Sequence, residues 1–266
     1  MVELRSFLSL TISLIRREVA GRYRGSMLGL LWSLLNPLFM LAVYTFVFGV
    51  VMKSRWTIPD QPNVQHSTGE FAVILFCGLI VFQFFAEVVS GAPGLVVANA
   101  NYVKKIVFPV YILPVVSAGA ALFHAAVSLL VLLVFLYTVF GSIPLTLVLA
   151  PVVFAPLAIM VLGIAWILAS IGVYFRDMSQ IVAPLVTATL FLSPVFFQRT
   201  ALPAWLQPWL SLNPLAIPVE SFRNVVIFGA QPDWTALGYY SLVAIVVAFL
   251  GYQFFQKTRR GFADVL

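Results

Sequence analysis

Charge is the scarcest ingredient of this 266-residue chain: only 9% of its residues are Asp, Glu, Lys or Arg. Soluble domains carry about 25%, so a water-soluble fold is excluded. Cysteine is nearly absent, and the single Cys77 rules out any intrachain disulfide without settling the compartment. There are two histidines, His66 and His124, and no Cys/His cluster spaced to hold a metal. Neither a Walker A pattern nor a G-x-G-x-x-G run beside a strand-like segment occurs. Scattered serines lack His and Asp companions. The expectation is a chain with no catalytic, cofactor-binding or metal site of its own.

What the chain has in abundance is apolar length. Hydrophobic residues make up 62% of it and the mean hydropathy is +1.05. The runs reach 20 residues or more, which suits spanning helices rather than a barrel, whose strands alternate over about 10 residues. The reading is an all-α integral membrane protein with six transmembrane helices, at 33–52, 71–91, 110–140, 145–173, 180–197 and 235–255. Internal prolines such as Pro37, Pro156 and Pro184 should kink them. The net charge of +6 has a membrane explanation, because Lys and Arg collect beside spans on the cytoplasmic side. Nucleic-acid binding is not expected. With the N-terminus inside, eleven basic residues fall on the cytoplasmic side and four (Lys53, Arg55, Arg199, Arg223) outside, which puts both termini in the cytoplasm.

The stretch from Arg16 to Pro37 carries the most specific signal. Arg16, Arg17, Glu18, Arg22 and Arg24 run without a spacer into the first apolar segment, past Gly25 and Gly29. Ahead of them Leu4, Leu8, Ile12, Ile15 and Val19 recur at helical spacing, as in a basic amphipathic helix lying in the interface plane over residues 1–31. A helix packed on a soluble partner would show a similar stripe. The apolar run before Arg16 has no small-residue cleavage site, so a cleavable signal peptide is not expected.

Other segments break the spanning pattern. Residues 53–70 form a polar outer loop. Residues 199–234 are interrupted by five prolines, and apolar pieces around Trp205 and Trp209 are too short to span, which fits re-entrant or interfacial half-helices on the outer side. The loop 99–108, with Asn99, Tyr102, Lys104, Lys105 and Phe108, is too apolar for a solvated turn alone. Its composition fits equally a helix docked in a partner's groove and an interfacial loop. Within the spans, Glu87 is expected to snorkel to the interface and His124 to pack as an imidazole against a neighbouring helix. Aromatics make up 15% of the chain; Trp32, Phe39 and Phe46 sit seven apart, with Tyr44 nearby on the same span. Flat rings of this kind stack on sugars as well as on lipids and helices.

The run Arg22-Tyr23-Arg24-Gly25-Ser26-Met27-Leu28-Gly29-Leu30-Leu31-Trp32, then Asn36-Pro37-Leu38, resembles the start of the first span in ABC-2 type permeases that export cell-surface polysaccharides. Tyr174-Phe175-Arg176-Asp177 resembles that family's turn between spans four and five, and Leu212-Asn213-Pro214-Leu215 with Glu220 and Arg223 its outer segment. The resemblance implies a single ABC-2 type transmembrane domain over 1–266, with spans in 33–255 and a cytoplasmic tail at 256–266. It implies a homodimer binding two copies of an ABC ATPase subunit, which would hold ATP and Mg. By the same likeness residues 99–108 form a coupling helix for the ATPase. Arg16, Arg17, Arg22, Arg24, Gly25 and Gly29 form a cytoplasmic gate where a lipid-linked pyrophosphate is admitted. Trp32, Phe39, Tyr44 and Phe46 become channel aromatics, and Trp205, Trp209, Glu220 and Arg223 the outer gate.

The functional expectation is the permease subunit of an ATP-driven exporter of a lipid-linked polysaccharide, O-antigen foremost, in a bacterial inner membrane. Its rivals are an ABC-2 exporter of teichoic acid, capsule, a drug or another lipid, a passive channel, and a membrane-embedded transferase using Glu220.

Overall fold

The computed structural model of the chain describes residues 2–51, 68–103, 108–199, 202–203, 205–210 and 212–266, with backbone alone at 2–6, 49, 68 and 103. Among them every regular element is helical. In chain order these are α1 (Val2–Arg22), α2 (Trp32–Tyr44, continued by a π-helical Thr45–Val51), α3 (Thr68–Ala98), the single turn α4 (Ala100–Val103) and α5 (Ile112–Phe140). After them come α6 (Ala150–Tyr174), α7 (Met178–Leu192), the short outer pieces α8 (Gln207–Leu210) and α9 (Ala216–Arg223), α10 (Trp234–Thr258) and a terminal turn α11 (Phe262–Val265).

Among the described residues, five helical segments are long and apolar enough to cross a membrane: Gly29–Phe48, Gly69–Ala98, Ile112–Phe140, Leu145–Tyr174 and Trp234–Val265. The segment expected to span at 180–197 is instead the 15-residue α7. It covers about 22 Å, short of the roughly 30 Å hydrocarbon core. It stops at Ser193, whose extended backbone precedes Pro194, because the proline ring disfavours helical geometry in the residue before it.

The centre of the fold is α3. Of its most apolar window 83% is buried, against 11% for the first span and 22% for the last. An all-round apolar helix belongs inside a bundle, and α3 packs against α5, α6, α7 and α9. Glycines set the closest approaches. A Cβ on Gly163 of α6 would lie 2.7 Å from the Ala248 backbone of α10, and one on Gly251 would strike the Gly163 carbonyl. One on Gly172 would strike the Pro93 carbonyl of α3. Small residues let backbones meet where lipid offers no hydrophobic drive for association.

Arg223 bolts α9 onto α3 and the segment after α7. This side chain is 3% exposed and donates to the Ile74 carbonyl at 3.1 Å, the Val195 carbonyl at 2.6 Å and the Pro194 carbonyl. A Cβ on Gly78 would lie 2.5 Å from its Nη2, so the glycine makes the guanidinium's slot. From the sequence, Arg223 counts among the outer basic residues and in the outer gate. Its planar donors instead satisfy carbonyls where α3, the end of α7 and α9 meet.

At the N-terminus α1 packs along α5, with Thr11, Leu14 and Val19 buried and Ile15 set against Gly119. The expected stripe therefore divides: Ile15 and Val19 pack inward, whereas Leu8 and Ile12 are exposed. The helix is apolar over more than one face, so one side serves α5 and another is left outward. The corner after α1 contains Gly25 at φ 87° and Gly29 at φ 50°, left-handed values that glycine adopts without strain.

Candidate functional site

The last turn of α1 carries Arg22 across onto α3 and α5. There its guanidinium meets the Glu87 carboxylate, and its Nη1 lies 3.0 Å from His124 Nδ1. His124 Nδ1 is also 2.9 Å from Glu87 Oε1 and 3.1 Å from Oε2. Arg22 and the imidazole thus converge on one carboxylate. With the Nδ1 proton aimed at Glu87, Nε2 accepts from the Tyr23 hydroxyl at 3.2 Å. Burial, reinforced by Glu87 and opposed by Arg22, holds the Tyr23 phenol above its ordinary pKa, which keeps it a donor. The side chains of Glu87 and His124 are 23% and 15% exposed, that of Arg22 52%. The carboxylate is therefore shielded and its cation is within reach of a ligand.

Glu87 does not snorkel, and His124 does more than fill space. A carboxylate inside a span is costly unless it meets a cation or a cavity, and the chain folds α1 back to supply one.

Two cavities meet at this cluster. The first, of 360 Å³, is bounded by Ser33, Asn36, Pro37, Met40 and Tyr44 of α2, residues 76–87 of α3, and His124 and Ser128 of α5. The second, of 760 Å³, continues past residues 87–99, with Arg17, Glu18 and Gly21 of α1 on the other wall. Both are lined by Arg22, Glu87 and His124. Together they follow α3 for some 23 residues, about 35 Å at the helical rise. The result is a groove with a charged waist.

At the end of the second cavity, α1 touches the segment after α3. The Arg17 guanidinium carbon lies 5.5 Å from the Tyr102 ring centroid, within cation–π range. Tyr102 stacks on Phe108 at 4.5 Å, and the Asn99 side chain donates back to Leu95 O at 2.9 Å. Of the expected coupling helix, α4 is the described helical part; Lys104 and Lys105 lie outside the described residues. Arg16 and Arg24 are exposed on α1 and in the corner after it.

Trp32, Phe39 and Phe46 are all exposed, on one face of the first span. Tyr44 is turned away from them, into the first cavity, with its ring 6.3 Å from Phe48. The outer group also divides. Trp205 and Trp209 are exposed, whereas Arg223 is locked inside and Glu220 is half-buried. Burial pushes the Glu220 carboxyl up, while Arg199 and Arg223 pull it down.

The reading from sequence missed the cluster because each polar residue was weighed alone. The available signal was spacing: Gln83 and Glu87 are one helical turn apart on α3, and His124 and Ser128 one turn apart on α5. Two such ladders in neighbouring apolar spans mark facing polar stripes.

The chain matches the family described as ABC-2 type transporter over residues 9–227. It is 32% identical over 265 residues to the O-antigen export system permease protein RfbA of Myxococcus xanthus, covering 98% of this chain and 97% of the relative. A Klebsiella pneumoniae protein of the same description is 27% identical over 260 residues, 97% of this chain and 95% of its own. The polysialic acid transport protein KpsM of Escherichia coli is 28% identical over 249 residues, 90% and 89% of the two chains. The match takes in the groove-forming helices from residue 9 of α1 through α5 and runs on past α9, and this multi-pass chain belongs to the ABC-2 type transporter family as a membrane subunit.

Proposed function

We propose that the chain is the permease subunit of an ATP-driven exporter that carries a lipid-linked polysaccharide, of the O-antigen class, out of the cytoplasm across a bacterial inner membrane. It acts as a homodimer with two copies of an ABC ATPase, which bind ATP and Mg, and both of its termini are cytoplasmic. Whole-length likeness to O-antigen export permeases supports the substrate class. The observation that carries the mechanism is the groove with Arg22 at its waist.

A lipid-linked glycan presents a pyrophosphate, sugar rings and a long apolar tail. The pyrophosphate is drawn to the basic end of α1, where Arg16, Arg17, Arg22 and Arg24 offer charge-assisted donors. Gly25 and Gly29 form the corner that hinges α1 against the first span. Once admitted past the cavity that Tyr44 lines, the glycan slides over Trp32, Phe39 and Phe46, because weak repeated stacking suits processive movement better than one tight site. The ATPase pushes on residues 99–108, and the Arg17–Tyr102 contact passes that motion to α1. Trp205 and Trp209 sit at headgroup level beside the outer exit, with Glu220 next to the Arg223 bolt.

The test is genetic and biochemical. Deleting the gene is expected to leave lipid-linked glycan on the cytoplasmic leaflet and strip it from the cell surface. The tagged chain is expected to co-purify with an ABC ATPase. Normal surface glycan in the deletion strain contradicts the reading.

A further inference from the structure

Two side-chain amides in the groove have no hydrogen-bond partner among the described residues. Gln83 lies midway along α3 and Asn36 on α2, both exposed to the 360 Å³ cavity. Neither makes a hydrogen bond to any described residue. Their polar neighbours are already engaged: the Ser33 hydroxyl donates to Leu30 O at 2.8 Å, and that of Ser128 to His124 O at 2.9 Å. An amide at membrane depth is costly unless it faces water or a ligand. If the cavity served only to pack helices, apolar residues would be better there.

The rest of the lining narrows the ligand. Tyr44 and Phe76 supply aromatic surface, which suits a ring with C–H faces. Gln83 stands one turn from Glu87, about 6 Å along α3, and Glu87 is the group that holds Arg22. That separation matches the reach from a sugar ring to the phosphate it is joined to. A bare phosphate would use Arg22 and leave both amides idle. An acyl chain would use neither.

We propose that this cavity recognises the sugar directly joined to the lipid pyrophosphate. Asn36 and Gln83 read its hydroxyl or acetamido edge, Tyr44 and Phe76 take its face, and Arg22 takes the pyrophosphate. Glu87 holds Arg22 in place until the anion displaces it, and then remains bonded to His124. The inference rests on the lipid-linked glycan reading above and adds to it a selection step inside the permease.

The experiment uses the permease–ATPase complex in nanodiscs with two kinds of probe. One is geranylgeranyl pyrophosphate; the other carries a single pyranose on that pyrophosphate, with glucose, galactose, mannose and N-acetylglucosamine tried in parallel. At least one sugar-bearing probe is expected to bind roughly tenfold tighter than the sugarless one, the worth of one or two added hydrogen bonds. Gln83→Leu should erase that preference and leave the sugarless affinity unchanged. Asn36→Ala, read the same way, guards against misfolding of the first variant. Arg22→Ala should weaken every probe. Equal binding of all probes to the wild type, or a preference that survives both amide substitutions, overturns the sugar site and leaves the export reading standing. Failure of the wild type to bind any probe overturns the lipid-pyrophosphate reading and this site with it.

Discussion

His124 Nδ1 lies 2.9 Å from a Glu87 carboxylate oxygen, tying α5 to α3 at the level where Arg22 arrives from α1. One hydrogen bond thus fixes the waist of a groove that follows α3 from Phe76 to Ala98. The helices that meet there are α1, the central α3 and α5.

Glu87 can be tested by separating charge from hydrogen bonding. Glu87→Gln keeps an acceptor for the His124 N–H but loses the attraction for Arg22. Its stability should stay within about 1 kcal/mol of the parent, while export falls several-fold. Glu87→Leu removes the acceptor too and should cost about 1.5–3 kcal/mol. Unfolding in detergent, followed beside an export assay, reads both quantities. Equal export by parent and Glu87→Gln removes the waist from the mechanism.

Arg223 should behave as a structural bolt. Arg223→Met leaves buried carbonyls unpaired, an expected loss of about 3 kcal/mol or more. Arg223→Lys should rescue little, because an ammonium lacks the planar fork that reaches three carbonyls. Gly78→Ala should resemble Arg223→Met, since its Cβ would occupy the guanidinium's slot. The yield of folded protein after detergent extraction measures all three.

The α6–α10 seam offers a paired comparison. Gly251→Ala would push a methyl group into the Gly163 carbonyl and should destabilise by about 1–3 kcal/mol. Gly238→Ala, on the same helix with nothing within 4 Å, should be neutral or stabilising by up to about 1 kcal/mol. Thermal unfolding of the two variants side by side gives the answer, and equal midpoints would contradict the close approach.

Coupling and conduction should separate by residue. Tyr102→Ala removes the ring under Arg17 and is expected to lower ATPase assembly and export together, with membrane insertion intact; Tyr102→Phe keeps the ring and most of the activity. Trp32→Ala and Phe39→Ala should impair export and spare ATPase binding. Co-purified ATPase per permease, set against surface glycan, distinguishes the two classes.

The spans were readable because long apolar runs leave little choice at membrane depth: three of the five long helical segments agree with their expected ranges within four residues at both ends, and the other two run on by 7 and 10 residues at their C-terminal ends. The glycine corner was readable for a similar reason, since left-handed backbone at Gly25 and Gly29 selects the residue type. Short-range pattern cannot report partners that are distant in the chain. Arg22, Glu87 and His124 lie 65 and 102 residues apart along it, and Arg223 reaches Ile74 across 149. The α1 stripe was only half informative, because Ile15 and Val19 pack inward while Leu8 and Ile12 of the same stripe are exposed. Periodicity alone does not say which face packs.

The central claim is that this subunit exports a lipid-linked glycan using energy from a separate ATPase. The most direct measurement is movement of fluorescent lipid-linked O-antigen across proteoliposomes containing the permease, with and without its ATPase and ATP. The account predicts movement only when permease, ATPase and hydrolysable ATP are all present, and its loss in Arg22→Ala. Movement by the permease alone, or turnover of the glycan into a new product, would contradict it.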